Sequence, residues 1–241
     1  MLLILAATPL ETPLLRQQLQ KSRTLVCGTA ALQHGRLGAE EVIIAHGGVG
    51  AMLMAMQLTR ILTVQHPRAI LLCGCGGSYP DTGLQIGDLA VASSEIYGDC
   101  GVATATGFIP LAQLAIPQHA AFAPTFQQEY PLDGPLLARA REHFPRAACG
   151  PFVTVNCCSG TAALSHELHQ RTGGICENME GAAAAQVCAA FGVPLLELRG
   201  ISNRTGPRDL NQWDIPRALE TAQQAVLTLL RQGLLGDRKE R

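Results

Sequence analysis

Five apolar residues, Leu2–Ala6, open the pattern without a polar interruption. A run this short and uniform predicts a strand covered on both faces, the situation of strands in helix-flanked sheets. Thr8-Pro9-Leu10-Glu11 then turns into a helix expected to reach about Leu19. Three short strands follow near Thr24–Cys27, Ala31–Leu37 and Val42–Ala45. Gly47-Gly48-Val49-Gly50 opens a long helix from Ala51 to about Gln65, apolar on several faces. Ala69–Cys73 reads as a strand ending in Gly74-Cys75-Gly76-Gly77, and Leu89–Ala92 as another. Between Tyr97 and about Pro135 the pattern is irregular, with glycine, proline and scattered aromatics. Helix Leu136–His143, strand Phe152–Val155, helices Ala162–Gln170 and Gly181–Phe191, strand Leu195–Ile201 and a final helix Ile215–Gln232 complete the reading.

Strands alternating with helices predict a layered α/β domain, here a single three-layer α/β/α unit. The early cluster of short strands adds the expectation of a mixed, strongly curved central sheet. No repeat or linker divides the chain, so one domain is expected over residues 1–232, with a charged tail over 233–241.

Composition narrows the classes. The 241 residues are 47% apolar and 15% charged, which suits one well-buried domain and excludes disorder. A formal net charge of −1 provides no field toward nucleic acid or an anionic membrane. The apolar start lacks the basic flank of a signal peptide, and no run reaches the roughly 18 apolar residues of a membrane span. A protein that is neither exported nor membrane-bound is expected. Nine cysteines include no paired C-x-x-C units and lie mostly in apolar runs, as reduced core residues do. His166-Glu167-Leu168-His169 is one residue short of a zinc-protease motif and reads as a polar helix face, so neither metal nor cofactor is expected.

The candidate chemistry is acidic and amidic. Gly74-Cys75-Gly76-Gly77 lacks the spacing of a dinucleotide fingerprint; it is either a tight turn or a place where a ligand approaches the backbone closely. Glu11 is either a helix-start acid or a base at the mouth of the crevice beyond the first strand. Glu180 opens an Ala-rich, buried helix, where a carboxylate needs partners that sugar hydroxyls could provide. Arg199 ends a very apolar strand and needs an anion, with Glu180 and Glu177 as candidates. Asn203 is a turn or cap residue or a base reader, and Trp213 a core residue or a stacking platform.

The order of these segments resembles the nucleoside phosphorylase/nucleosidase superfamily from Leu2 to about Leu230, and the Glu177-Asn178-Met179-Glu180-Gly181 and Ser202-Asn203-Arg204-Thr205-Gly206 variants resemble its futalosine hydrolase branch. The resemblance implies a phosphorylase-like fold, cleavage of an N-glycosidic bond by water, no cofactor, and a homodimer or larger assembly. It implies that Glu11 activates water, that Val49 of the first glycine turn binds substrate, and that Gly76 and Gly77 lie near the ribose and the nucleophile. Asn178, Met179 and Glu180 would form the ribose-holding segment. Cys157, Cys158 and Ser159 would line the purine edge, and Arg199, Ser202 and Asn203 the base-binding strand. It also implies a 6-oxopurine, futalosine's hypoxanthine, and through it the futalosine route to menaquinone in a bacterial cytoplasm. Asn203 agrees, because adenine-cleaving relatives carry an acid there, whereas an amide can accept from N7–H and donate to O6.

For the substrate's distal carboxylate, the candidates are Arg204 or Arg208, with Phe108, Phe122 and Phe126 as an apolar wall. A phosphorylase on the same fold would need a cationic cradle, yet the cations nearest the glycine turns in sequence are Arg36, Arg60 and Arg68. A catalytically silent nucleoside-binding protein would be expected to lack an acid at position 11.

Overall fold

The computed structural model describes residues 1–28, 30–114, 116, 127–132 and 134–233. Of the expected features, Phe122, Phe126 and the tail beyond Gly233 lie outside them. The strands are β1 (Leu2–Ala6), β2 (Gln20–Cys27), β3 (Ala30–Leu37), β4 (Glu40–His46), β5 (Ile70–Ser78), β6 (Leu89–Tyr97), β7 (Gly101–Thr104), β8 (Gly107–Pro110), β9 (Glu129–Pro131), β10 (Ala148–Thr154), β11 (Cys176–Asn178) and β12 (Leu195–Arg204). The helices are α1 (Pro13–Gln18), α2 (Ala51–Leu62), α3 (Pro135–His143), α4 (Ala162–Thr172), α5 (Gly181–Phe191) and α6 (Ile215–Arg231).

The main sheet runs β11-β10-β6-β12-β5-β1-β4-β3-β2, with β9 added on β6. It is mixed: β1 is parallel to β4 and β5, and β12 is parallel to β5 but antiparallel to β6. The curvature is strong enough that β11 bonds β10 on one side and β5 on the other, closing five strands into a ring. The layered, mixed and curved architecture expected from the sequence is the one observed.

Period-two geometry divides the core. Leu3 and Leu5 of β1 join Ile43, Ile70 and Leu72 in a cluster with the buried faces of α2 and α5. Leu2 and Ile4 point the other way, into a cluster with α1, α3 and α6. The apolar run therefore serves two layers at once. Two local readings need correction. The expected helix from residue 8 is a 3₁₀ turn, Pro9–Glu11, followed by the separate α1, because Thr12 leaves helical geometry between them. The irregular stretch after Tyr97 contains the hairpin β7–β8 and the strand β9.

The glycine run after Cys73 is not a turn. It continues β5, and none of its glycines has positive φ. Their lack of a side chain admits neighbours instead: a Cβ on Gly74 would overlap Glu11 Oε1 and one on Gly76 would overlap the Cys176 thiol. On Gly77, a Cβ would sit 3.1 Å from Asn203 Nδ2. Gly48 and Gly50, by contrast, do require the left-handed region, at φ of 88° and 92°.

Candidate active site

A cavity of about 320 Å³ opens beyond the carboxyl ends of β1, β5 and β12, the place where open α/β sheets bind ligands. Its deeper end is ionic. Arg199 is almost fully buried and donates from Nε to Glu197 at 2.8 Å and from Nη1 to the Cys75 carbonyl at 3.1 Å. Its Nη1 also lies 3.5 Å from Glu180 Oε2. The other oxygen of Glu180 accepts the Gly50 N–H at 3.0 Å, so the glycine turn before α2 aims a backbone donor at this carboxylate.

Local sequence explains the placement of Glu180. Asn178, at the end of β11, turns its Oδ1 back to accept the N–H groups of Glu180 at 2.9 Å and Gly181 at 2.7 Å. These are donors that the start of α5 would otherwise leave unpaired. The Thr154 hydroxyl accepts the next one, from Ala182, at 2.7 Å. Glu180 is thereby held at the helix mouth with its side chain facing the cavity.

Glu11 reaches the same place from β1. The Thr8 N–H fixes its Oε2 at 2.7 Å, and its Oε1 passes over Gly74. Burial raises its pKa; Glu180 adds to the effect, while Arg199 and the Thr8 amide oppose it. A carboxylate whose burial favours its protonated form is a stronger proton acceptor than an exposed one, and the neighbouring cation keeps its charged form available.

The opposite end is amidic and aromatic. β12 bulges between Ile201 and Asn203, which turns Ser202 and Asn203 toward the cavity. Asn203 Nδ2 donates to the Arg204 carbonyl at 3.0 Å, and Ser202 Oγ lies 2.8 Å from Asn203 Oδ1. The amide keeps one N–H and one lone pair for a ligand. Arg208 lies over the Trp213 ring at 5.1 Å, and both line the cavity. Among the described residues no carboxylate pairs with Arg208.

Val49, Gly76, Gly77, Cys158, Ser159 and Met179 also line the cavity. Arg204 does not; its guanidinium donates to Gln85 at 3.1 Å outside. Phe108 is engaged elsewhere, under the Arg171 guanidinium at 4.0 Å. Glu177 is no partner of Arg199. It accepts from Ser159 N–H at 3.0 Å, from the Ser159 hydroxyl and from Tyr79 OH at 3.0 Å, and so pins the Cys158–Ser159 stretch. In the short zinc-like motif, Glu167 pairs with Arg171 at 3.1 Å, and His169 lies 2.8 Å from the Gly174 carbonyl. Sequence reasoning missed Glu95, Thr154 and Glu197, which support the site from behind. The signal available was a glutamate inside each of two apolar strands.

A sequence profile of the Phosphorylase superfamily matches residues 2–231. A futalosine hydrolase of Acidothermus cellulolyticus is 33% identical over 229 residues, covering 94% of this chain and 89% of that protein. One of Thermus thermophilus is 32% identical over 231 residues, covering 95% of each. Among solved structures, Helicobacter pylori 5′-methylthioadenosine/S-adenosylhomocysteine nucleosidase superposes with a TM-score of 0.83 at 20% identity, covering 96% of this chain and 97% of that one. With its fold and nearly its whole length matched, this chain belongs to the phosphorylase superfamily.

Proposed function

We propose that the chain hydrolyses the N-glycosidic bond of futalosine, releasing hypoxanthine and dehypoxanthine futalosine for menaquinone synthesis in a bacterial cytoplasm. The observation that carries this reading is the Asn203 amide, with one donor and one acceptor left over at the cavity's polar end. N7–H and O6 of a 6-oxopurine match that pair, whereas the 6-amino group of adenine would set donor against donor, at a cost of about 1–3 kcal/mol. The likeness to two futalosine hydrolases supports the same choice.

In this reading Glu180 takes the ribose hydroxyls, and Glu11 orients a water and accepts its proton as the glycosidic bond opens. The ribosyl group then carries oxocarbenium-like charge, which Glu180 stabilises. The bonding pair leaves with the purine, whose N7 takes a proton from solvent, and Asn203 holds the departing base by accepting from that N7–H. Water rather than phosphate is the nucleophile because Glu11 and Glu180 both face the reacting end, where they repel a phosphate. Arg199, the cation there, is already engaged by Glu197 and Glu180. Arg208, on its Trp213 platform, is the group left for a substrate carboxylate.

The exposed Met52, Leu53 and Met56 of α2, beside Val49 at the cavity, support association through that face. Release of the free base from futalosine, inosine and 5′-methylthioadenosine, with and without phosphate, tests the activity; phosphate dependence or preference for 5′-methylthioadenosine would overturn it. Arg208→Ala is expected to lower kcat/KM for futalosine at least about tenfold, as losing a charged hydrogen bond of about 1.5–3 kcal/mol implies, and to leave inosine nearly unchanged.

A further inference from the structure

Behind the cavity lie two carboxyl groups that this chemistry leaves unused. Glu95 of β6 and Glu197 of β12 have no exposed surface. They meet at Gly181: a Cβ there would overlap Glu95 Oε1 and lie 2.6 Å from Glu197 Oε2. The two carboxyl groups therefore face each other across Gly181 in a site without water-exposed surface, where a pair of acids is held at least cost if one keeps its proton. Glu197 Oε2 has no hydrogen-bond donor among the described residues, and a proton kept on the facing Glu95 would satisfy it. Arg199 Nε stands 2.8 Å from Glu197, which puts the negative charge on Glu197 and the proton on Glu95.

Each acid then reaches the cavity through one neighbour. Glu95 accepts from Asn178 Nδ2 at 2.6 Å and from the Thr154 hydroxyl at 2.7 Å. Asn178 in turn holds the backbone of Glu180 and Gly181. Glu197 holds Arg199, which stands against Glu180. Without Glu197, the guanidinium would lose its shortest partner.

We propose that Glu95 and Glu197 work as one proton-sharing unit that positions the charged groups of the cavity, Glu180 by way of Asn178 and Arg199 directly. They are positioning residues, since neither touches the cavity. Burial first, and then each other's or Arg199's charge, govern the pair; burial holds both pKa values up. The other ionisable groups facing them are Arg199 and Glu180, Cys176 of β11, Cys188 of α5 and Tyr97 of β6. The thiols and the phenol are pushed up by burial and stay neutral, Cys188 to about 12. Loss of the shared proton at alkaline pH sets two adjacent negative charges against one guanidinium and loosens both holds.

The kinetic part of the test rests on the nucleosidase reading; the spectroscopic part does not. Glu95→Gln keeps a neutral donor facing Glu197 at the expense of the Asn178 bond, and is expected to lose the wild-type fall in kcat at alkaline pH while lowering kcat less than Glu197→Gln does. Glu197→Gln removes the charge from Arg199 and is expected to lower kcat about a hundredfold, the effect of misplacing a reacting group by an ångström. Equal damage from the two amides, or an unchanged alkaline fall in Glu95→Gln, would overturn the assignment. Infrared difference spectra of the ligand-free protein against Glu95→Gln should show a protonated buried carboxyl band at neutral pH. Its absence would overturn the shared proton whether or not any nucleoside is cleaved.

Discussion

At the scale of single residues, Glu11 has the most direct test. Glu11→Gln keeps size and hydrogen bonding but cannot take a proton, so kcat should fall about two to four orders of magnitude with KM little changed. Because burial raises the Glu11 pKa, its basic form disappears as pH falls through a value above the ordinary carboxylate range. The acid limb of the wild-type rate profile should lie correspondingly high, and a limb in the ordinary range would separate Glu11 from the proton transfer. Asn203→Asp tests base reading: an acid can protonate N7, while its carboxylate repels O6. The preference should move from hypoxanthine toward adenine nucleosides, measured as the ratio of kcat/KM values. Such residues were legible because each stands at the end of a strand or the mouth of a helix. Glu95 and Glu197 were not, since their meaning lies in a meeting between β6 and β12 that no local pattern records.

At the scale of elements, legibility followed burial. β1 and α5 fall where the pattern placed them, because one is apolar throughout and the other is framed by Gly181 and the left-handed Gly192 cap. β7 and β8 were missed because β7 is exposed throughout and β8 only half-buries every second residue. The glycines of β5 stayed ambiguous for a related reason: in sequence, a glycine that makes room for a neighbour looks like one that turns the chain. Gly200 shows how tight such approaches are, since a Cβ there would run into the Ala218 carbonyl of α6. Backbone cannot yield as a flexible side chain can, so Gly200→Ala should destabilise the fold by about 1–3 kcal/mol, read as a lower urea midpoint. It should also disturb the cavity, because Ile215 and Leu219 of α6 line it.

At the scale of the molecule, the sheet keeps one side open and the other closed. The open side ends in β2, an exposed strand carrying Lys21 and Arg23, charges that discourage further pairing. The closed side is fastened by the three-residue β11, paired through Cys176 and Glu177 to Ser78 and Gly77 of β5. Asn178 and the start of α5 hang from that same strand. These partners lie far apart along the chain, and contacts of that kind form only after the intervening elements have assembled. In time, therefore, the ligand pocket should be the last thing the molecule acquires. During refolding, recovery of helical and sheet signal should precede recovery of ligand binding in the cavity, and simultaneous recovery would show that the ring closes early. A nascent chain would then be folded in outline before it could hold a nucleoside.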